Sequence, residues 1–98
     1  MPSLRYSDRA ARDLVRIAEL LAKEDSTRAP AAVARVIDAI RILERHPLVG
    51  RVADDPLREL IISYGRSGYI ALYRYDARRD RVLIKAIRHQ REVGFEEP

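Results

Sequence analysis

An α+β domain of order β-α-α-β-β-β, with an N-terminal helical hairpin packed on a small antiparallel sheet, is the expectation for these 98 residues. Three observations carry it. The first half holds two apolar stripes at helical spacing, separated by the run EDSTRAP. Residues 69–91, YIALYRYDARRDRVLIKAIRHQR, hold two runs rich in β-branched and aromatic residues, 69–75 and 81–89, around a polar connection, 76–80. Neither run contains Pro or Gly, so both suit the interior of a sheet. The chain is long enough for one core and no more, which gives a single domain over residues 1–98.

Each element follows from local chemistry. Residues 4–6 alternate briefly and suit a short first strand. Ser7 is a good N-cap, with Asp8 in the first turn, where the helix dipole favours an anion. Ala10, Leu14, Ile17, Ala18 and Leu21 recur at i, i+4, i+7, i+8 and i+11, which predicts a helix over 8–24. Thr27 is the next N-cap candidate, and Pro30 falls in the first turn that follows, where its missing N–H costs nothing. Val33, Val36, Ile37, Ile40 and Leu43 then mark a helix over 28–45. Pro47 disfavours helical geometry at His46, and Gly50 permits a turn. A loop through Asp54, Asp55 and Pro56 leads into a strand over 57–63, and residues 64–68, with two glycines, turn the chain into the hairpin. In the last strand, strict alternation puts Val82, Ile84 and Ala86 on one face and Leu83, Lys85, Ile87 and His89 on the other. In the strand before it, Ile70, Leu72 and Arg74 oppose Tyr69, Ala71, Tyr73 and Tyr75. Alternation leaves open which set meets the helices.

Composition narrows the chemistry. With no cysteine and two histidines, a disulfide framework, a thiolate site and a zinc site are all disfavoured, and no metal or cofactor is expected. No apolar run approaches the roughly 18 residues of a membrane span, and the N-terminus is polar from the start, so no membrane partner and a cytoplasmic location are expected. The net charge of +4 is unevenly spread. Residues 58–91 hold nine Lys or Arg against three acids, a local balance of +6, whereas residues 1–45 carry about +2. A basic sheet region points to an anionic partner, nucleic acid or an acidic protein, with solubility as the plainer reading.

The helical hairpin, the HPLVGR turn, Arg58-Glu59-Leu60 followed by Tyr69-Ile70-Ala71-Leu72-Tyr73-Arg74-Tyr75, and the ending Val82-Leu83-Ile84-Lys85-Ala86-Ile87-Arg88-His89-Gln90-Arg91 together resemble the RelE/ParE superfamily, the toxins of type II toxin–antitoxin modules. The resemblance covers nearly the whole chain and lies closer to the ParE-like branch. It implies a cognate antitoxin that wraps the toxin, with operator DNA contacted only through the antitoxin complex. It also implies one of two activities. ParE-like members poison DNA gyrase without chemistry of their own. RelE-like members are ribosome-dependent mRNA interferases, which activate a 2′-OH and stabilise phosphorane charge, and so need a proton acceptor, a proton donor and cations at the scissile phosphate.

The ParE-like reading makes Arg66, Arg74, Lys85, Arg88, His89 and Arg91 the surface for the target or the antitoxin. The RelE-like reading, with ribosome and mRNA as partners, makes His89, Arg66 and Arg74 catalytic candidates, because His89 has a side chain that titrates near neutrality. A purely structural role for His89, capping the sheet edge, stands beside both. Residues 54–63 hold no lysine, and no tyrosine follows His89, two departures from RelE-like enzymes. The tyrosines at 64, 69, 73 and 75 could stack on bases or simply pack, and Arg78, Arg79 and Arg81 could hold phosphates or sit in a solvated loop.

Overall fold

A computed structural model describes residues 1–64 and 67–91. The chain forms β1 (Ser3–Tyr6), α1 (Asp8–Asp25), α2 (Ala29–Ile40), a 3₁₀ turn (Arg41–Glu44), β2 (Arg51–Asp54), β3 (Leu57–Tyr64), β4 (Ser67–Asp76) and β5 (Arg81–His89). The five strands make one sheet in the order β1-β5-β4-β3-β2. The α+β class and the helical hairpin over a sheet are as expected, and two features extend the reading. A fifth strand, β2, pairs antiparallel with β3 at one edge. The first strand, at the other edge, runs parallel to β5. From β2 to β5 the sheet is an antiparallel meander.

Ser7 starts α1 as its N-cap, its hydroxyl accepting from the Ala10 N–H at 3.0 Å. The same hydroxyl donates to the Lys85 carbonyl at 2.9 Å, and the Ser7 N–H donates to the Ile84 carbonyl at 2.9 Å. One residue thus begins the helix and ties it to the last strand. Thr27 caps nothing in α2. Its N–H and hydroxyl both donate to the Asp25 carboxylate at the end of α1, at 3.1 and 2.6 Å, and Arg28 stands at the α2 N-cap without a side-chain bond. Those bonds hold the Asp25 carboxyl below its usual pKa. Pro30 lies in the first turn of α2, as expected. Instead of running unbroken to 45, α2 ends at Ile40 and tightens into the 3₁₀ turn.

The core lies between the helices and one face of the sheet. Ala10 and Ile17 of α1, Val36 and Ile40 of α2, and Leu43 meet Ile62, Tyr69, Ala71, Tyr73, Val82, Ile84 and Ile87. Each large side chain so buried contributes about 1.5–3 kcal/mol. Of the α2 stripe, Ile37 turns outward, while Ala29 and Ala32 join the buried side.

Strict alternation fails within β5. Tyr73 pairs with Ile84, but Leu72 pairs with Ala86, so Lys85 is an extra residue, a β-bulge. The bulge reverses parity. Val82 and Ile84 face the helices before it, and Ile87 and His89 after it, across from Ala71 and Tyr69. Leu83, Ala86 and Arg88 face the other way. The sets {Val82, Ile84, Ala86} and {Leu83, Lys85, Ile87, His89} are corrected accordingly.

Beyond the bulge β5 has no strand on its outer side among the described residues, because β1 stops at Tyr6. There α1 supplies the missing partners. The Asp13 carboxylate accepts the Ile87 N–H at 2.8 Å, and the Arg16 guanidinium donates to the Ile87 carbonyl at 3.3 Å. Arg9 and Arg16 flank Asp13 at 4.0 and 3.5 Å.

Candidate functional site

Cross-strand partners share a face, so the registers sort every strand residue. The face turned away from the helices carries Arg5 on β1, Arg51 and Asp54 on β2, Leu57, Glu59 and Ile61 on β3, Ile70, Leu72, Arg74 and Asp76 on β4, and Arg81, Leu83, Ala86 and Arg88 on β5. One row across the strands reads Arg5, Leu83, Arg74, Leu57. Five arginines thus stand against three acids, and two of the acids are ion-paired. Glu59 pairs with Arg51 at 3.0 Å, and Asp76 with Arg79 in the hairpin turn at 2.9 Å. Arg5 and Arg74, both exposed, have no carboxylate partner among the described residues. The face is therefore cationic with leucine and isoleucine between the charges.

The helix-facing side carries different chemistry. Tyr6, Tyr69, Tyr73 and Tyr75 all point to this side, as does His89. Burial pushes the hydroxyls of Tyr6, Tyr69 and Tyr73 above their usual pKa. Tyr75 is raised chiefly by donating to Asp80 at 2.7 Å. Tyr73 also donates structure to the loop before β2: its hydroxyl accepts the Gly50 N–H at 2.9 Å, while Arg58 donates to the carbonyls of Leu48 and Gly50 at 3.0 and 2.8 Å. A Cβ at Gly50 would lie 2.6 Å from Tyr73 Cε1 and 2.8 Å from the Glu59 carbonyl, so only glycine fits.

His89 packs edge-on against Tyr69, ring centres 5.1 Å apart and planes at 86°. Its Nδ1 accepts the Arg91 N–H at 3.0 Å, which closes the turn after β5. The six candidate residues therefore divide. Arg74 and Arg88 share the open face, and Lys85 is the exposed bulge residue. His89 and Arg91 lie together on the helix side, where they line a groove of about 240 Å³ with Ile17, Leu20, Leu21, Glu24 and Tyr69. Arg66 lies outside the described residues. His89 and Arg74 are five residues apart along the ladder, about 17 Å, and on opposite faces. Arg5, Arg51 and Arg81 complete the cationic face, and of these only Arg81 was singled out from sequence, as a possible phosphate contact. Arg5 reaches this face through the parallel pairing of β1 with β5, strands at opposite ends of the chain. No group of three His, Cys, Asp or Glu among the described residues could hold a metal ion.

Residues 4–94 match the family of the ParE toxin of the type II toxin–antitoxin system parDE. The chain belongs to this family. It is 38% identical over 96 residues to Toxin RelE3 of Caulobacter vibrioides, with 94% of this chain and 98% of the relative covered. Among solved structures, the chromosomal ParDE system of P. aeruginosa superposes with a TM-score of 0.77 at 22% identity, over 91% of this chain and 96% of the other, a likeness of fold. The RelBE2 toxin–antitoxin complex of Mycobacterium tuberculosis superposes at 0.66 with 25% identity, over 93% of each chain. The chain thus belongs to the RelE/ParE superfamily.

Proposed function

We propose that this toxin inhibits DNA gyrase by protein–protein contact and is neutralised by a cognate antitoxin, with operator DNA reached only through the toxin–antitoxin complex. The observation that carries this reading is the segregation of chemistry between the two sides of the sheet. Cleavage of RNA needs a proton acceptor within hydrogen-bond reach of the attacking hydroxyl, beside the cations that steady the phosphate. The cations of the open face, Arg5, Arg74, Arg81 and Arg88, have no histidine or tyrosine among the described residues of that face. The histidine of β5 and the tyrosines of β1 and β4 are on the other side, and the four shifted tyrosines stay protonated at neutral pH. Arginines interleaved with leucines suit an acidic, partly apolar protein surface. Gyrase as the target and an antitoxin made in the same cell imply a cytoplasmic site of action.

The test is a supercoiling assay with purified gyrase, ATP and relaxed plasmid. Loss of supercoiling with accumulation of cleaved DNA is the expected result. Unchanged supercoiling at large excess of folded toxin would overturn the reading. The name of the Caulobacter relative, Toxin RelE3, favours the second reading, a ribosome-dependent mRNA interferase. In that case His89→Ala lowers mRNA cleavage on the ribosome by about 10²–10⁴-fold, the usual worth of a general acid or base. Full cleavage by that variant would remove His89 from such a mechanism.

A further inference from the structure

β2 is the edge of the sheet farthest from β1, and none of its four residues is buried. Among the described residues no strand pairs with its outer side, so its outward backbone groups are a template for another strand. Leu48, Val49 and Val52, at this edge and just before it, are each more than half exposed, although all three are apolar. They do not sit on a loose loop. The Tyr73 hydroxyl takes the Gly50 N–H, and Arg58 holds the carbonyls of Leu48 and Gly50, so two side chains of the sheet fasten the chain as it enters β2. A fixed apolar patch loses little freedom when it is covered, which favours association. The local charge also differs from that of the whole chain. Residues 46–59 hold two arginines against three acids, while the protein carries +4. Asp54 and Asp55 are exposed and have no ion pair among the described residues. Arg51 pairs with Glu59 yet keeps 63% of its side chain exposed.

We infer that this edge pairs with the same edge of a second copy of the chain, β2 against β2, antiparallel about a two-fold axis normal to the sheet. The occupant is assigned by self-complementarity. An antiparallel mate sets Arg51, at the start of β2, against Asp54 and Asp55 at the far end of the other copy's strand, and the axis repeats the match at the other end. Two copies of a basic protein repel over most of their surface, and at this corner, where acids outnumber arginines, they approach at least cost. Val52 points to the helix side, because it pairs with Arg58, which pairs with Tyr73. The valines of the two copies thus meet near the axis, and Leu48 and Val49, tied to Arg58 on the same side, extend the patch. Ala53 stands outside the ladder with β3, a bulge that bends the edge and limits the pairing to a few bonds. The apolar side chains then supply most of the contact. The interface falls at the small end of specific ones, below about 1,200 Å², with a Kd of roughly 10–100 μM. This pairing leaves Arg5, Arg74, Arg81 and Arg88 uncovered, so it stands apart from the choice of target.

The experiment is sedimentation equilibrium of the full chain, from about 5 μM to 1 mM, a range that brackets the expected Kd. A rise in mass from 11.3 kDa toward twice that value is expected. A chain that stays monomeric throughout would overturn the inference and leave the edge to a strand of another protein. Val52→Lys, at an exposed position that should leave the fold intact, sets two like charges beside the axis and should weaken dimerisation by about tenfold or more. Unchanged affinity in that variant would place the dimer on another surface and overturn the inference. The charge match is tested by exchange. Arg51→Asp sets acids against acids, and Asp54→Arg with Asp55→Arg sets arginines against arginines, so each variant alone should dimerise about tenfold more weakly. Mixed in equal amounts they restore both matches, and the mixture should dimerise about as tightly as the unmodified chain. A mixture no tighter than its parts would overturn the pairing. In ¹⁵N spectra, concentration-dependent amide shifts are expected at Leu48, Val49, Val52 and Ala53, and shifts confined to Arg74, Leu83 and Arg88 would overturn it as well.

Discussion

The two faces of one sheet are made from the same strands and have opposite chemistry. The helix side is aliphatic and aromatic, with Tyr73, Val82, Ile84 and Ile87 fully buried. The open side interleaves Arg5, Arg74, Arg81 and Arg88 with Leu57, Leu72 and Leu83. Stability resides in the first, and the function proposed above assigns recognition to the second. Neither demand could be met so fully if the strands shared their residues between both tasks, because each side chain has only one direction to point.

The comparison is broken most directly from the buried side. Tyr73→Ala removes a fully buried ring together with the acceptor of the Gly50 N–H, and should cost about 4 kcal/mol in urea unfolding. Asp13→Ala leaves the Ile87 N–H without its partner. It should cost about 2 kcal/mol and raise amide exchange at Ile87 ahead of the centre of β4. Gly50→Ala drives a methyl against Tyr73 and the Glu59 carbonyl, for a loss of about 1–3 kcal/mol. A stability within 0.5 kcal/mol of the unmodified chain, estimated for an exposed site, is expected of Arg74→Ala, with gyrase inhibition weakened by roughly 10–100-fold. Large destabilisation by Arg74→Ala with inhibition intact would abolish the division of labour.

The smallest effect sharpens the comparison at its margin. Asp76 accepts from Arg78, Arg79 and the Arg79 guanidinium, which holds its carboxyl below the usual pKa. A group depressed in the folded state stabilises above its unfolded pKa of about 4, and that contribution is lost as pH falls through the lower folded value. Asp76→Asn should therefore flatten the acid end of the stability profile slightly and leave stability at pH 7 little changed, since the turn is exposed.

Much of the frame was legible in the sequence because its signals are local. Ser7 and Asp8 begin α1 where the capping chemistry says, the stripe of Ala10, Ile17 and Leu21 is its buried side, and β5 spans 81–89 as its β-branched run implies. What escaped depends on contacts between distant residues. Arg51–Asp54 is four exposed residues, and only β3 beside it makes a strand of them. Thr27 has the right side chain for an N-cap, but Asp25 offers it a charged acceptor two residues away. Arg74 and Arg88 were picked out as basic and prove to share a face, whereas His89, next to Arg88, points the other way. The groove was not foreseen, since Leu20 lies off the α1 stripe and meets Tyr69 only across the fold.

The bulge at Lys85 also bears on how such a chain can change its length. Lys85 stands outside the ladder, between Ile84 and Ala86, which pair with consecutive residues of β4. A gene that lost this one codon would encode a regular strand with Arg88 still outward and Ile87 still inward. A gene that gained one more codon there, with the bulge kept, would turn Arg88 toward the helices and Ile87 toward solvent. Shortening and lengthening by a single residue are thus unequal events at this position: the first preserves both surfaces in the present register, and the second preserves them only if Lys85 joins the ladder and the rest of β5 slips by two residues against β4.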